Sequence, residues 1–366
     1  MGYSLFLTCS SKIYEPTILI DITTFSTTDW QRFLTGTGYT TAEAMTILTA
    51  LHPAVVTPAT VRRLLTLMHA QACLPWAVGQ YALPVGLLDC CGTGGSGRAN
   101  FNTSTTVAFI LAAGGVPVLK FGNRAASSPS GSFDFLEGLG LPLPQLSAHS
   151  LASVEATGLG FLFAPDVYPS LKPLALWRKQ FGQPTVFNFL GPLLHPLQPE
   201  YRLLGCSHAG LLPLLAEELA LQQTCNRALV LRSESGLDEA VATETAMGVW
   251  IEQKPEVGTT LQPWKWHPTV TNINGVEPVE TGTKVLDFSV VNNVAWFKQL
   301  IGVEPKTTLP LSVENTVILN AGLGFWVTNK VNSVEAGIQL ATNLLIQGMV
   351  RQQYQAVTEF YRTLLA

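Results

Sequence analysis

Short uninterrupted apolar runs alternate with amphipathic stretches along most of the chain. "LPVGLLDCC" (residues 83–91), "VPVLKFGN" (116–123), "GLGFLFA" (158–164), "PTVFNFL" (184–190), "ALVLRS" (228–233) and "MGVWIEQ" (247–253) read as strands. Between them, "STTVAFILAAGG" (104–115) and "GLLPLLAEELALQ" (210–222) carry helical spacing. This alternation predicts an α/β fold with a mostly parallel sheet flanked by helices. Ahead of it, residues 29–82 have a purely helical rhythm. "TTAEAMTILTALH" opens with a threonine cap ahead of Glu43, and "TPATVRRLLTLMHA" opens on Thr57 and Pro58.

The expected organisation is a small helical domain over 29–82, completed by part of the segment near 145–200, followed by a large α/β domain over 83–366. Residues 1–28 form an extension of unread role, with a β-rich run, "PTILIDITTF". The last third is chiefly helical, its apolar spacing interrupted by Gly322 and Gly324.

Composition narrows the function. With 366 residues, 47% hydrophobic and 13% charged, the chain can bury a large core and is not expected to be disordered. A net charge of −4 and the absence of a basic run offer nucleic acid no general attraction. The six cysteines include no C-x-x-C pair, which argues against a zinc site or a disulfide framework. Neither a signal peptide nor a bilayer-length apolar stretch is read, so no membrane is expected and the expected compartment is the cytoplasm.

The candidate chemistry begins at "CGTGGSGRANFNTST", residues 91–105, where Gly92, Gly94 and Gly97 spell the G-x-G-x-x-G of a dinucleotide turn. That motif needs a helix opening at its third glycine and an acidic residue about 20 positions on. Here the helix is expected only near Thr103, and the next strand ends in "LKFGN", whose charge is Lys120. What remains is an anion cradle: glycines free their N–H groups, Asn102, Ser104 and Thr105 offer side-chain donors, and a helix N-terminus follows. A second polar loop, "KFGNRAASSPSGSFD", places Lys120 and Arg124 beside Ser127, Ser128, Ser130 and Ser132 at the next strand end. A third, "ESGLDEAVATET", presents Asp238 and Glu239, adjacent acids suited to holding Mg²⁺ against phosphates.

Taken in order, "GTGGSGRANFNTST", "KFGNRAASSPSGSFDFLEGLG", "FLFAPDVYPSLKPLALWRKQFG", "TVFNFLGPLLHP" and "GLDE" resemble the anthranilate phosphoribosyltransferases, which share a fold with pyrimidine nucleoside phosphorylases. The resemblance covers roughly residues 30–360. It implies Mg²⁺-dependent transfer of phosphoribosyl from phosphoribosyl pyrophosphate to the amine of anthranilate in tryptophan biosynthesis. It also implies a cleft between the two domains and a homodimer. Gly92, Thr93, Gly94, Gly95, Asn102, Ser104, Thr105, Lys120 and Ser132 would hold the donor, and Ser104, Asp238 and Glu239 the metal. Asn123 and Arg178 would meet the anthranilate amine and carboxylate, with Phe121 and Tyr168 beside them.

The chain departs from the family's usual residues at four places. Ser96 stands for an aspartate, Phe121 and Tyr168 for histidines, and Pro184 for an arginine. Because Phe121 and Tyr168 belong to the expected acceptor channel, a paralogue with another aromatic amine acceptor is one alternative. A catalytically silent relative that binds nucleic acid is a second. No acid or base is assigned, and His195 and His208 match no family acid or base.

Overall fold

Capping chemistry sets the helical start of the chain. In this computed structural model, which describes residues 20–77, 79–125, 129–254, 256–268 and 286–365, Ser26 with Asp29 and Thr40 with Glu43 form capping boxes. They open helix α1 (Thr27–Leu34) and helix α2 (Thr41–Ala50), and Thr57 caps α3 (Pro58–His69). The run "PTILIDITTF" lies partly outside the described residues, and its described part is not a strand. The Asp21 side chain accepts the Thr23 N–H at 2.9 Å, which turns the chain into a single 3-10 turn at Ile22–Thr24.

Seven strands follow among the described residues: β1 (Leu88–Gly92), β2 (Val118–Gly122), β3 (Leu159–Phe163), β4 (Tyr201–Gly205), β5 (Arg227–Ser233), β6 (Ala246–Lys254) and β7 (Gly258–Trp266). They lie in the order β3-β2-β1-β4-β5-β6-β7. The first five are parallel, and β6 and β7 add antiparallel. Burial on both faces explains the unbroken apolar runs of the parallel strands. From β1 the chain moves outward to β2 and β3, then returns to lay β4 on the other side. The loops after β1 and β4 therefore diverge at a topological switch point, where ligands of open parallel sheets bind.

One strand expectation changes. "PTVFNFL" is not a strand, because Asn188 Oδ1 accepts from both the N–H and the hydroxyl of Thr185, at 2.9 and 3.1 Å. That closes a turn into a short helix, Phe187–Leu190. Its apolar run cannot by itself distinguish strand from buried helix. Gly322 and Gly324 lie within a helix, as the helical spacing around them implies, and it runs from Leu311 to Val327. They are crossing points: a side chain on Gly322 would strike the backbone of Gly337 and Ile338 in the helix Val334–Ile346, and one on Gly324 would strike Leu111.

The sheet separates two cores. Leu88, Cys90, Val118, Leu203 and Leu229 face helix α4 (Thr103–Ala113) and the C-terminal helices. Leu119, Phe121, Leu162, Leu204 and Val230 face α1–α3 and the helices Lys172–Phe181 and Leu212–Ala220. Phe33 of α1 stacks on Trp177 at 5.8 Å, which packs the 172–181 helix against α1. Among the described residues, no helix is long and apolar enough to cross a membrane.

Candidate functional site

At the carboxyl ends of β1, β2, β4 and β5, loops enclose a cavity of about 610 Å³, a size suited to a small phosphorylated substrate. Its floor depends on two glycines at the ends of neighbouring strands. A side chain on Gly92 would strike the Asp238 carboxylate, and one on Gly205 would strike the Asp238 backbone. Glycine at both places lets the loop after β5 lie over the strand ends, and the Asp238 carboxylate then accepts the Gly94 N–H at 2.7 Å.

The loop after β1 is built as an anion cradle. Gly94, Gly95 and Gly97 take positive φ of 62°, 76° and 70°, backbone shapes that a side chain would strain. The Ser207 hydroxyl donates to the Gly94 carbonyl at 2.7 Å, and the Gly205 carbonyl accepts the Thr93 N–H at 3.0 Å. Helix α4 then starts at Thr103 without a side-chain cap; the Thr103 N–H donates to the Phe101 carbonyl at 2.8 Å, and the next N–H, on Ser104, is the one placed to meet an anion. Thr103 and Ser104 line the cavity.

The residues expected to hold the donor do not all face the same way. Gly92, Thr93, Gly94, Gly95, Asn102, Ser104, Lys120 and Ser132 line the cavity, whereas Thr105 is fully buried and outside its wall, one residue further round the helix. The amide nitrogen of Asn102 already donates to Ser130 at 2.7 Å and Asn293 at 3.2 Å, so only its oxygen is left to offer a ligand. The Lys120 ammonium donates to the Cys90 carbonyl at 2.7 Å, and the Ser132 hydroxyl to the Asn123 carbonyl at 3.0 Å. Arg124 is committed elsewhere, to Asp134 and Glu137, both at 2.8 Å. Ser127 and Ser128 lie outside the described residues.

Across the floor, Asp238 and Glu239 both face the cavity and neither belongs to an ion pair among the described residues. Burial pushes both carboxyls up. Glu239 reaches about 7, raised also by the charge of Asp238 and opposed by hydrogen bonding to Thr103 and Asn100. Two adjacent carboxyls sharing a cavity without their own cation fit a divalent ion. The described residues contain no group of three or more His, Cys, Asp or Glu side chains that would close around a metal. Mg²⁺ characteristically needs only one or two carboxylates, completing its shell with water and substrate phosphate.

Arg178 and Asn123 also line the cavity. The Arg178 guanidinium lies 5.6 Å from the centroid of Phe187 and forms no ion pair among the described residues, and partial burial lowers its pKa. Phe121 supplies an apolar wall. Tyr168 stands behind that wall, edge-on to Phe121 at 6.2 Å, with its hydroxyl donating to the Leu194 carbonyl at 2.7 Å. It is not among the cavity residues; its phenol is held by the backbone. Pro184 is likewise outside the cavity and exposed, while Ser96 sits on the rim, its hydroxyl accepting the Arg98 N–H at 3.2 Å.

His195 is fully buried, and desolvation lowers it to about 4. It donates from Nε2 to the Leu119 carbonyl at 3.0 Å and accepts the Leu197 N–H at Nδ1, so it is a neutral structural residue.

The sequence reading did not single out Asn100, Thr103, Phe187, Asn188, Pro192, Gly205 and Asn320, all on the cavity wall. Gly205 had a readable signal: "YRLLG" is a short apolar run ending in glycine, like β1 and β2. Asn320 had none, because a lone asparagine in an apolar helix says nothing about the loop it meets.

Residues 85–351 match the family described as glycosyl transferase family, a/b domain. The anthranilate phosphoribosyltransferase of Listeria monocytogenes serotype 4b is 36% identical over 297 residues, covering 78% of this chain and 80% of the relative. That of Synechococcus elongatus is 37% identical over 286 residues, covering 76% of each. Among solved structures, the anthranilate phosphoribosyltransferase of Thermus thermophilus is 30% identical with a TM-score of 0.70, covering 92% and 94% of the two chains. The Saccharomyces cerevisiae enzyme in complex with PRPP and Mg has the same fold, with a TM-score of 0.75 at 22% identity and the same coverage of 92% and 94%.

Proposed function

Since the chain belongs to the anthranilate phosphoribosyltransferase family, we propose that it transfers the phosphoribosyl group of phosphoribosyl pyrophosphate to the amine of anthranilate, releasing pyrophosphate, in tryptophan biosynthesis. One observation carries this reading. One cavity is lined by a glycine loop and helix start suited to an anion, by an acid pair and by an arginine, none of these charged groups in an ion pair among the described residues.

The donor's pyrophosphate lies against the N–H groups of residues 95–97, the Gly94 N–H being held by Asp238, and against the start of α4 at Ser104. Asp238 and Glu239 hold Mg²⁺, which when bound offsets the negative charge gathering on the leaving pyrophosphate. Arg178 takes the anthranilate carboxylate as a forked, charge-assisted pair, and Asn123 faces the amine. These contacts fix the amine on the anomeric carbon as the C–O bond to pyrophosphate breaks. No residue acts as a base: positioning and preset electrostatics lower the barrier. The apolar Phe121 wall accepts an aromatic ring.

The proposal extends to a homodimer working in the cytoplasm, with residues 29–82 and the 172–181 helix as a separate small domain. The five described cysteines are free thiols, which suits a reducing compartment. The dimer rests on the family likeness.

Thermal unfolding separates this donor from the dinucleotide that the glycine spacing imitates. Phosphoribosyl pyrophosphate with Mg²⁺, at about a hundredfold excess over its Kd, will raise Tm by about 4 °C or more. NAD will leave Tm unchanged. A shift with NAD and none with phosphoribosyl pyrophosphate would reverse the assignment.

A further inference from the structure

Two buried asparagines of the C-terminal helices reach into the loops that hold the donor and the acids. Asn293, on the helix Val290–Leu300, is fully buried. Its Nδ2 donates to the carbonyls of Phe288 and Ser289 at 2.8 and 2.9 Å, which fixes the amide. Its Oδ1 then accepts the Asn102 N–H at 2.8 Å and the Asn102 side-chain amide at 3.2 Å. All four hydrogen-bonding positions of the group are used. Asn102 is the residue at which α4 begins, so this contact fixes where the anion-binding end of that helix points.

Asn320, on the helix Leu311–Val327, does the same for the acid loop. It accepts the Ala240 N–H at 3.1 Å and donates to the Ala240 carbonyl at 2.8 Å, gripping both backbone groups of the residue after Glu239. Its second N–H goes to the Thr316 carbonyl at 2.8 Å. From the other side, the Ser233 hydroxyl donates to the Glu239 carbonyl at 2.6 Å and accepts the Val241 N–H at 2.8 Å. The peptide carrying Glu239 is therefore held on both sides. The two clamped loops also meet each other, through Asp238 and the Gly94 N–H.

We propose that Asn293 and Asn320 are positioning residues with separate targets: Asn293 sets the affinity for the phosphoribosyl donor, and Asn320 the affinity for the divalent cation. The assignment rests on the reaction proposed above. Each target follows from the loop gripped, since an unclamped Asn102 lets the α4 terminus drift from the phosphates and an unclamped Ala240 lets the acid pair splay. Neither asparagine grips the acceptor end.

The test uses the full chain with Asn293→Ala and Asn320→Ala. Phosphoribosyl pyrophosphate binding is followed by calorimetry at saturating Mg²⁺, and Mn²⁺ binding by the spin-resonance signal of the free ion. Asn293→Ala will weaken donor binding about tenfold with Mn²⁺ binding held within about twofold, and Asn320→Ala will weaken Mn²⁺ binding about tenfold. The anthranilate KM will stay within about twofold in both. Should an alanine variant unfold, Asn293→Ser or Asn320→Ser keeps one hydroxyl partner and will show the same selectivity at about threefold.

Variants that bind both probes like wild type, or that lose donor, cation and acceptor affinity alike, overturn the assignment alone. Wild-type protein that binds neither probe overturns the proposed reaction as well.

Discussion

Asp238→Asn combined with Glu239→Gln will reduce Mg²⁺-dependent turnover by about 10³-fold or more while the circular dichroism spectrum is kept. Both carboxyls face the cavity and neither has an ion-pair partner among the described residues. Their burial is a folding cost. Glu239 stands at about 7 against an ordinary 4.5, so the folded state favours its protonated form. That contribution to stability is complete below about 4.5 and is lost as pH rises through about 7. In the presence of a chelator at pH 8, Glu239→Gln will therefore raise Tm by about 2 °C or more, and the difference will vanish near pH 4. A variant that loses stability at pH 8 would make Glu239 a structural acid and remove it from the metal site.

Arg178→Ala will reduce kcat/KM for anthranilate by about 100-fold, with the donor KM within about twofold of wild type. The guanidinium faces the cavity without an ion pair among the described residues, which leaves it available to the carboxylate of the proposed acceptor. Arg178→Lys will restore little, because an ammonium cannot reproduce the forked pair or its seat against Phe187. Equal loss for donor and acceptor would place Arg178 among structural residues.

The parts of this site visible in the sequence are those in which local chemistry and position coincide. Glycines at a strand end, an adjacent acid pair and threonine caps each declare a backbone shape or a charge within a few residues. The rest depends on which side chain faces which way. Thr105 follows Ser104 in the same helix turn, yet one residue of rotation puts it in the core. Asn102 offers a donor in sequence and has spent both hydrogens in the fold.

Tyr168 belongs to the acceptor region by motif, but its hydroxyl is tied to the Leu194 carbonyl behind Phe121. Of the residues that distinguish this chain at the acceptor end, only Phe121 is on the cavity wall. The strand order was legible as alternation, but the return of β4 beside β1 was not. That return creates the switch point, and no local pattern encodes it.

The most direct test of the central claim is to follow anthranilate fluorescence and free pyrophosphate together in one mixture of protein, phosphoribosyl pyrophosphate and Mg²⁺. The site described here predicts that anthranilate is consumed and pyrophosphate released in equal amounts, and that omitting either the donor or Mg²⁺ stops both. Pyrophosphate release that leaves anthranilate untouched, or tight donor binding with no anthranilate loss, would contradict it.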